Sequence, residues 1–333
     1  MEIKEVVLPE ERAAVSDFLS EFGLRYREDT EYTAYVLDGG DMVATVSYSG
    51  NTIMQLAVSK KMQGENVAST LITHIIAKMR ERGIYSYKVF TKPENIAIFE
   101  SLGFNLLVED ENFAALEGGA SDIKSVISGM KTKITMELGG FSDDTAAIVV
   151  NGNPFTLGHL ALCEYALSKH KHLILFVLEE EGSYFSFKER YSLAFIATRP
   201  YADRISVVPS SDYIVSRSTF PDYFLHTSDA ATRAYARYDA LIFEKYFMPE
   251  LNIKKRYLGS EITDYMQIYN ESVKEVLGDR AEVVERFKDC GKEISAKEVR
   301  ALIEEGRLSQ ALSLVPNSCR AVLSLIINAK RNV

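Results

Sequence analysis

A threonine and a histidine stand three residues apart in the segment Asn151–His159, where both side chains could contact one phosphate group. An apolar run precedes the segment and a helix-favouring run follows it, which predicts a strand, a turn and a helix. Such a turn binds phosphate because glycines allow close backbone approach and a helix N-terminus attracts anions. The alternative is a chance turn with a capping threonine and a surface histidine. The candidate residues are Gly152, Asn153, Pro154, Phe155, Thr156, Gly158 and His159.

A second segment with phosphate-binding chemistry, Ile294–Arg300, lies far downstream. Ser295 could cap a helix and donate to a phosphate, and the Arg300 guanidinium could form charge-assisted hydrogen bonds with the same oxygens. Ser295 and Glu298 also fit an ordinary capping box, and both roles can hold together. We assign catalytic roles to Thr156, His159, Lys188 and Arg300, although a lysine on a helix is often merely solvated. Ser210, Ser211 and Arg217 lie in a polar and aromatic stretch after a predicted strand, where Arg217 could pair with a carboxylate or a phosphate.

These candidates need elements to position them, and the apolar pattern changes near the middle of the chain. The first half is predicted to form a β-meander followed by a helix, a strand and a short helix. The second half alternates continuous apolar strands with helices, which indicates a parallel sheet covered on both faces. Strands are predicted at Tyr32–Leu37, Met42–Tyr48, Thr52–Val58, Tyr85–Thr91, Ala146–Val150, Leu173–Leu178 and Ile205–Val208. Helices are predicted at Asn66–Arg82, Asn95–Leu102, Ile123–Met130, Leu157–His170 and Lys188–Thr198.

Composition excludes several classes of protein. The 333 residues include 38 Lys and Arg against 47 Asp and Glu, a net charge of −9 that disfavours nucleic-acid binding. The three cysteines have no CxxC or CxxH spacing, so we expect neither a disulfide framework nor a zinc site. The longest apolar runs are shorter than the roughly 18 to 20 residues of a membrane span. Charges at Glu2, Lys4 and Glu5 do not fit a signal peptide, so we expect a cytoplasmic protein.

Two segments of the first half resemble the GNAT N-acetyltransferase family. They are Val58–Asn66, before the long predicted helix, and Asn95–Phe104. In that family a glycine-rich turn presents backbone N–H groups to the pyrophosphate of acetyl-CoA. This turn departs from the family, because Gly64 is its only matching glycine, Lys61 stands where Arg or Gln is expected, and Asn66 stands where Gly or Ala is expected. The resemblance therefore implies a GNAT-like fold more than acetyl-CoA turnover.

The second half resembles the nucleotidyltransferase superfamily. Asn151–His159 is similar to its HxGH signature, with Thr156 in the first His position, and Ile294–Arg300 is similar to its ISxxxxR signature. The resemblance implies further nucleotide-binding residues, namely Arg190, Gly259, Ser260, Glu261, Ile294 and Ser295, and for the substrate it implies Ser210, Ser211 and Arg217. With the segments Pro209–Phe224 and Gly259–Asn270 and the GNAT-like half, essentially the whole chain resembles the citrate lyase ligase family. The run 284–288 departs from that family, which leaves its two basic residues, Arg286 and Lys288, uncertain as ligands.

The resemblance implies an acid–thiol ligase. Acetate would attack the α-phosphate of ATP to give acetyl-adenylate and pyrophosphate, with Mg²⁺ held mainly by phosphates and water. The acetyl group would then pass to the thiol of the CoA-like arm on the citrate lyase acyl carrier protein. The GNAT-like half would hold that arm.

We predict an α/β protein in which a GNAT-like α+β domain precedes a Rossmann-like parallel-sheet nucleotidyltransferase domain. The expected bounds are 1–117 for the first domain, 118–142 for a linker or bridging helix, and 143–333 for the second domain. Two alternatives remain at this point. The first is an adenylyltransferase acting on a phosphorylated small molecule, such as a pantetheine or nicotinamide precursor. The second is a GNAT acetyltransferase or binding module with a vestigial nucleotide fold.

Overall fold

The computed structural model describes residues 2–140, 142–215, 220–225, 227–260, 263–289 and 292–331. The chain divides into two compact units. The first unit contains Met1–Asp122 and Phe220–Ala234, and the second contains Ile123–Thr219 and Tyr235–Val333. This division differs from the predicted bounds in two respects. The predicted linker helix, which begins at Ile123, belongs to the second unit. The segment Phe220–Ala234, from the second half of the sequence, belongs to the first unit.

A seven-stranded sheet forms the first unit within the described residues, in the order β1-β2-β3-β4-β5-β7-β6. Its neighbours pair antiparallel except β4 and β5, which are parallel. The strands are β1 (Glu2–Glu5), β2 (Tyr32–Asp38), β3 (Asp41–Ser49), β4 (Thr52–Val58), β5 (Ser86–Thr91), β6 (Asn105–Asp110) and β7 (Phe113–Gly119). The helices are α1 (Pro9–Ser20), α2 (Val67–Glu81) and α3 (Ile96–Ser101).

Local sequence explains two turns of the first unit. Gly39 and Gly40 join β2 to β3 with φ of 61° and 97°, and a two-residue hairpin turn of this kind needs positive φ at both positions. Asn66 precedes α2 with φ of 57°, a left-handed conformation that asparagine tolerates better than most residues. Asparagine can therefore stand where the GNAT family has glycine or alanine.

The second unit is built on a five-stranded sheet in the described residues, with parallel strands in the order β10-β9-β8-β11-β12. Its strands are β8 (Thr145–Val150), β9 (His172–Val177), β10 (Ile205–Pro209), β11 (Ile253–Gly259) and β12 (Ala281–Val284), and β13 (Lys288–Asp289) and β14 (Lys292–Glu293) form a separate pair. Its helices are α4 (Ile123–Leu138), α5 (Leu157–Lys169), α6 (Phe187–Thr198), α7 (Ser228–Ile242), α8 (Met248–Glu250), α9 (Asp264–Leu277), α10 (Ala296–Glu304), α11 (Leu308–Ser313) and α12 (Arg320–Arg331). The division between the units falls within α7.

Both faces of the parallel sheet are covered, as the continuous apolar strands predict. On β9, Leu173 and Leu175 lie in the core shared with α5 and α6. Phe176 points to the opposite face and packs edge-on against Phe243 and Phe247 at ring distances of 5.8 and 5.7 Å. Among the described helices, none combines the length and the apolar character needed to cross a membrane.

A polar network ties β11 and β12 to α5 through Glu282. Its carboxylate accepts hydrogen bonds from the Tyr165 hydroxyl at 2.6 Å and from Lys169 and Lys255 at 3.1 and 3.3 Å. These partners, Tyr165 first, hold the pKa of Glu282 at about 2, below its usual value of 4.5. Since the folded-state pKa is the lower one, the stabilisation is complete above pH 4.5 and is lost as the pH falls towards 2.

Replacing Glu282 with glutamine is expected to lower the free energy of unfolding by about 1 kcal/mol near neutral pH, a magnitude limited by partial exposure of the carboxylate. The difference from wild type should shrink as the pH falls from about 5 towards 3. Urea unfolding over this pH range measures it. Glu275→Gln, which removes one exposed ion pair with Arg237 at 3.5 Å, is the control. An equal effect of both variants at every pH would contradict the assignment.

Candidate functional site

The turn between β8 and α5 lies at the carboxyl end of the central strand of the parallel sheet. Ligands of open α/β sheets bind at this edge, against helix N-termini. Gly152 has φ of 63°, the left-handed region that a glycine reaches without strain. Thr156, which is 1% exposed, is the N-cap of α5. The predicted strand, turn and helix are therefore confirmed as local structure.

His159 occupies the third position of α5, and its side chain folds back to the N-cap residue of the helix. Its Nδ1 accepts a hydrogen bond from the Thr156 backbone N–H at 2.9 Å and lies 2.9 Å from the Thr156 hydroxyl. Because Nδ1 is the acceptor, this geometry assigns the imidazole proton to Nε2. Burial, with a smaller contribution from the Arg286 cation, lowers the pKa of His159 to about 4. The ligand-free site thus holds a neutral imidazole whose Nε2–H is a hydrogen-bond donor.

The structure brings the two predicted phosphate-binding segments together, although they are far apart in sequence. Arg300 donates from Nη1 to the backbone carbonyl of Asn153. A Cβ added to Gly158 would lie 3.3 Å from the carbonyl oxygen of Ile294, so the first turn of α5 packs closely against the second segment. Ser295 caps α10 by accepting the Glu298 backbone N–H at 3.1 Å. The capping role is therefore observed, and a phosphate contact by Ser295 stays a prediction.

Arg286 is a residue that sequence reasoning left unassigned and that the structure places at this site. Its Nε donates to the Ser260 carbonyl at 2.8 Å, and its backbone N–H donates to the Ser260 hydroxyl at 3.0 Å. Its charge also acts on His159, whose pKa it lowers. The signal in the sequence was a basic side chain in the run 284–288, whereas its place beyond β12, the neighbour of β11, comes from the fold. Of the nucleotide candidates beside it, Gly259 accepts a hydrogen bond from Asn270 at 3.1 Å, and Glu261 lies outside the described residues.

Arg190 corrects a prediction, because the structure gives it an internal role instead of a phosphate contact. Its side chain is fully buried, at 0% exposure. Nε, Nη1 and Nη2 donate four hydrogen bonds to backbone carbonyls at the ends of β8 and β9 and before α6. The acceptors belong to Asn151, Leu178, Glu180 and Phe185. A guanidinium committed in this way orders the loops around the site and is not available to a ligand.

The remaining predicted residues differ in their surroundings. Lys188 is exposed on the first turn of α6. Just before this helix, the Phe185 backbone N–H donates to the Asn153 side chain at 3.0 Å. Ser210 and Ser211 are buried beyond β10. The Ser210 hydroxyl accepts the backbone N–H of Glu179, which follows β9, and the Ser211 hydroxyl accepts the backbone N–H of Tyr213. Arg217 lies outside the described residues. The substrate roles of these residues stay predictions.

Two protein families match separate parts of the chain. The family described as "Citrate lyase ligase C-terminal domain" matches residues 145–323, and the "Acetyltransferase (GNAT) family" matches residues 3–104. The predicted fold class, a GNAT-like domain followed by a parallel-sheet domain, is confirmed by these matches and the sheet topology. Among solved structures, the GNAT domain of S. lividans PAT is 19% identical, with 35% of this chain and 89% of that chain covered and a TM-score of 0.30.

Curated relatives are similar over nearly the whole chain. Citrate (pro-3S)-lyase ligase of Klebsiella pneumoniae is 30% identical over 316 residues, which cover 92% of this chain and 90% of the relative. The protein of the same name from Escherichia coli strain K12 is 30% identical over 314 residues, with 91% and 88% covered. The resemblance found in the sequence is confirmed at this identity and coverage. The chain belongs to the citrate lyase ligase family.

Proposed function

We propose that this chain is an ATP-dependent acid–thiol ligase that activates acetate and acetylates the CoA-like arm of the citrate lyase acyl carrier protein. The observation that carries the proposal is the junction of the two phosphate-binding segments, where Arg300 reaches Asn153 and Gly158 packs on Ile294. Each segment alone is a common turn or capped helix. Their contact at the carboxyl end of a parallel sheet supports a single binding place for a triphosphate, to which both segments would contribute donors.

In the first proposed step, a carboxylate oxygen of acetate attacks the α-phosphorus of ATP while the bond to the pyrophosphate oxygen breaks. The products are acetyl-adenylate and pyrophosphate. Little covalent help from the protein is needed, so donors placed around the phosphate supply most of the rate. His159 would donate from Nε2 to the α-phosphate, and the Thr156 hydroxyl would lie beside it. Arg300, Ser295 and Lys188 would neutralise the departing pyrophosphate.

The proposed reaction also uses Mg²⁺, which we expect to arrive with ATP. Among the residues that the structure describes, no three His, Cys, Asp or Glu side chains lie together as metal ligands. Mg²⁺ commonly binds through substrate phosphates and retained waters, with one or two carboxylates or fewer from the protein. The donor set of this site, with imidazole, guanidinium and hydroxyl groups, fits the phosphates better than the metal. The metal would offset phosphate charge and so make attack by an anionic carboxylate easier.

In the second proposed step, the thiol sulfur of the carrier arm attacks the acetyl carbon and AMP leaves. We assign the arm to the first unit, which contains a cavity of about 630 Å³. Its walls come from β4, from α3 and from the N-terminus of α2, where Gly64 and Asn66 form the turn. The α2 N-terminus would attract the phosphates of the arm, and the apolar walls would bind its chain.

Acetate-dependent exchange of labelled pyrophosphate into ATP tests the proposal on the purified full chain. The expected result is exchange that requires both acetate and Mg²⁺, followed by acetylation of the carrier arm, detected by mass, when the carrier is added. Turnover of a phosphorylated small molecule without acetate-dependent exchange would favour the adenylyltransferase alternative. In that case the product would retain AMP. Acetylation of an amine by a chain carrying His159→Ala would favour the acetyltransferase alternative.

A further inference from the structure

The strands β4 and β5 of the first unit part soon after they begin to pair. Their ladder contains only the pairs Thr52–Lys88 and Ile53–Val89. Just beyond this point Gln55 has φ of 56°, and the pairing of β4 with β3 shifts its register nearby. Backbone N–H and C=O groups on the facing edges of two diverging strands lose their partners in the ladder. The opening between β4 and β5 therefore presents polar backbone groups that another group must satisfy.

Tyr223 fills the narrow end of this opening. Its hydroxyl donates to the Phe90 carbonyl on β5 at 2.8 Å. The Gln55 backbone on β4 lies close to the same oxygen. Tyr223 is 5% exposed, and its burial raises the pKa to about 12, so the hydroxyl keeps its proton and remains a donor. One side chain thus replaces the missing ladder contact between the two strands.

The segment that carries Tyr223 is held firmly in the first unit. The Arg25 backbone N–H donates to the Tyr223 carbonyl at 2.9 Å, and the Arg25 guanidinium donates to the Asp222 carbonyl at 2.9 Å. Phe220 packs edge-on against Phe90 with ring centroids 5.4 Å apart. In sequence this segment comes between β10 and the second-unit part of α7, so it is an excursion from the second half of the chain. The position of Tyr223 is fixed by backbone contacts as well as by its own side chain.

The cavity of the first unit reaches both faces of the sheet beside β4. It is lined by Leu56 and Val58, which pack with the core under α2, and by Ala57 and Leu24, which pack with α1. Tyr223 lines it as well, at the end where the two strands meet. An extended arm that enters along the open strands would therefore end against the Tyr223 ring.

We propose that Tyr223 makes this cavity bind a free thiol arm in preference to the same arm carrying an acetyl group. The inference rests on the proposed function, which places the arm in the first unit. An acetyl carbonyl at the end of the arm would need a hydrogen-bond donor, but the Tyr223 hydroxyl there already donates to the Phe90 carbonyl and lies against the Gln55 backbone. A buried carbonyl without a donor is costly, whereas a thiol is a weak hydrogen-bonding group and loses little on burial. The preference would release the acetylated carrier after transfer.

The test compares CoA with acetyl-CoA, two probes that differ only in the acetyl group, by calorimetric titration of the full chain. Wild type is expected to bind CoA at least about tenfold more tightly, the size of effect that one unsatisfied buried carbonyl produces. Tyr223→Ala should reduce the preference to about threefold or less, because it frees both space and the Gln55 backbone donor. Tyr223→Phe, which keeps the ring and frees only the backbone groups, should give an intermediate preference and guards against misfolding of the alanine variant.

Tyr35→Phe is the matched control. It removes another hydroxyl hydrogen bond of the first unit, to Glu11 at 2.8 Å, and should leave the preference unchanged. Equal affinity of wild type for the two probes, absence of CoA binding, or a preference that persists in both Tyr223 variants would overturn the inference. Pyrophosphate exchange on the same preparations separates the two proposals. Absence of acetate-dependent pyrophosphate exchange in wild type would contradict the proposed function. Normal exchange without a preference for CoA would contradict only the role of Tyr223.

Discussion

Replacing His159 by alanine is expected to lower acetate-dependent pyrophosphate exchange by about 100- to 1000-fold, the usual cost of losing one preorganised donor to a reacting centre. The neutral imidazole, with its proton on Nε2, is held in place by the Thr156 backbone. The measurement is the exchange rate at saturating ATP and acetate, corrected for the folded fraction. Alanine also removes the acceptor at the start of α5, so a loss of about 1 kcal/mol in stability should accompany the loss of rate.

His159→Glu separates these two effects. A glutamate at this helix position can accept the Thr156 backbone N–H in an ordinary capping box, and its charge suits the helix N-terminus. The variant should therefore be at least as stable as His159→Ala, yet its carboxylate cannot donate to a phosphate and repels one. We expect its exchange rate to be as low as that of the alanine variant. Exchange within tenfold of wild type in either variant would remove His159 from the mechanism.

Replacing Arg190 by methionine is expected to lower the free energy of unfolding by about 3 to 5 kcal/mol, because a fully buried guanidinium is lost and four carbonyls, one buried and three half-buried, lose their donor at once. Methionine fills much of the same volume without forming a hydrogen bond. Three of the carbonyls, at Asn151, Leu178 and Glu180, follow β8 and β9, so the loops that form the site should loosen as well. Urea unfolding, followed by a signal from the second unit, measures the change.

Arg204→Met provides the comparison for this prediction. Arg204 also donates to three backbone carbonyls, at distances of 2.7 to 3.0 Å, but its side chain is only half-buried. Water can replace the lost donor there, so we expect a loss of about 1 to 2 kcal/mol. If Arg190→Met kept the stability of wild type and instead raised the KM for ATP, the guanidinium would be a nucleotide ligand, as the sequence alone suggested.

The contrast between Arg190 and Arg286 explains which parts of the site could be predicted. Both are arginines close to a signature or a strand end, and sequence reasoning assigned one to the phosphate and left the other open. A basic residue near a phosphate-binding turn is a reasonable ligand whenever its exposure is unknown. Burial distinguishes the two roles, since the Arg190 side chain is 0% exposed and its N–H groups donate to backbone carbonyls. The exposure of Arg190 depends on how the loops after β8 and β9 pack, and a local sequence pattern does not predict that packing.

Local patterns in the sequence were enough to predict seven strands and five helices, among them the strand–turn–helix around Thr156 and His159, and the resemblance of longer segments indicated the family. The predicted strands and helices follow from periodicity, capping and turn chemistry, which act between residues close together in the chain. The family follows from the resemblance alone. The fold alone brings Arg300 to Asn153 and Tyr223 between β4 and β5, and it places Arg286 near enough to His159 for its charge to add to the effect of burial on the pKa. Each of these contacts joins residues far apart in sequence, and its free energy depends on burial and on backbone groups left unpaired when strands diverge.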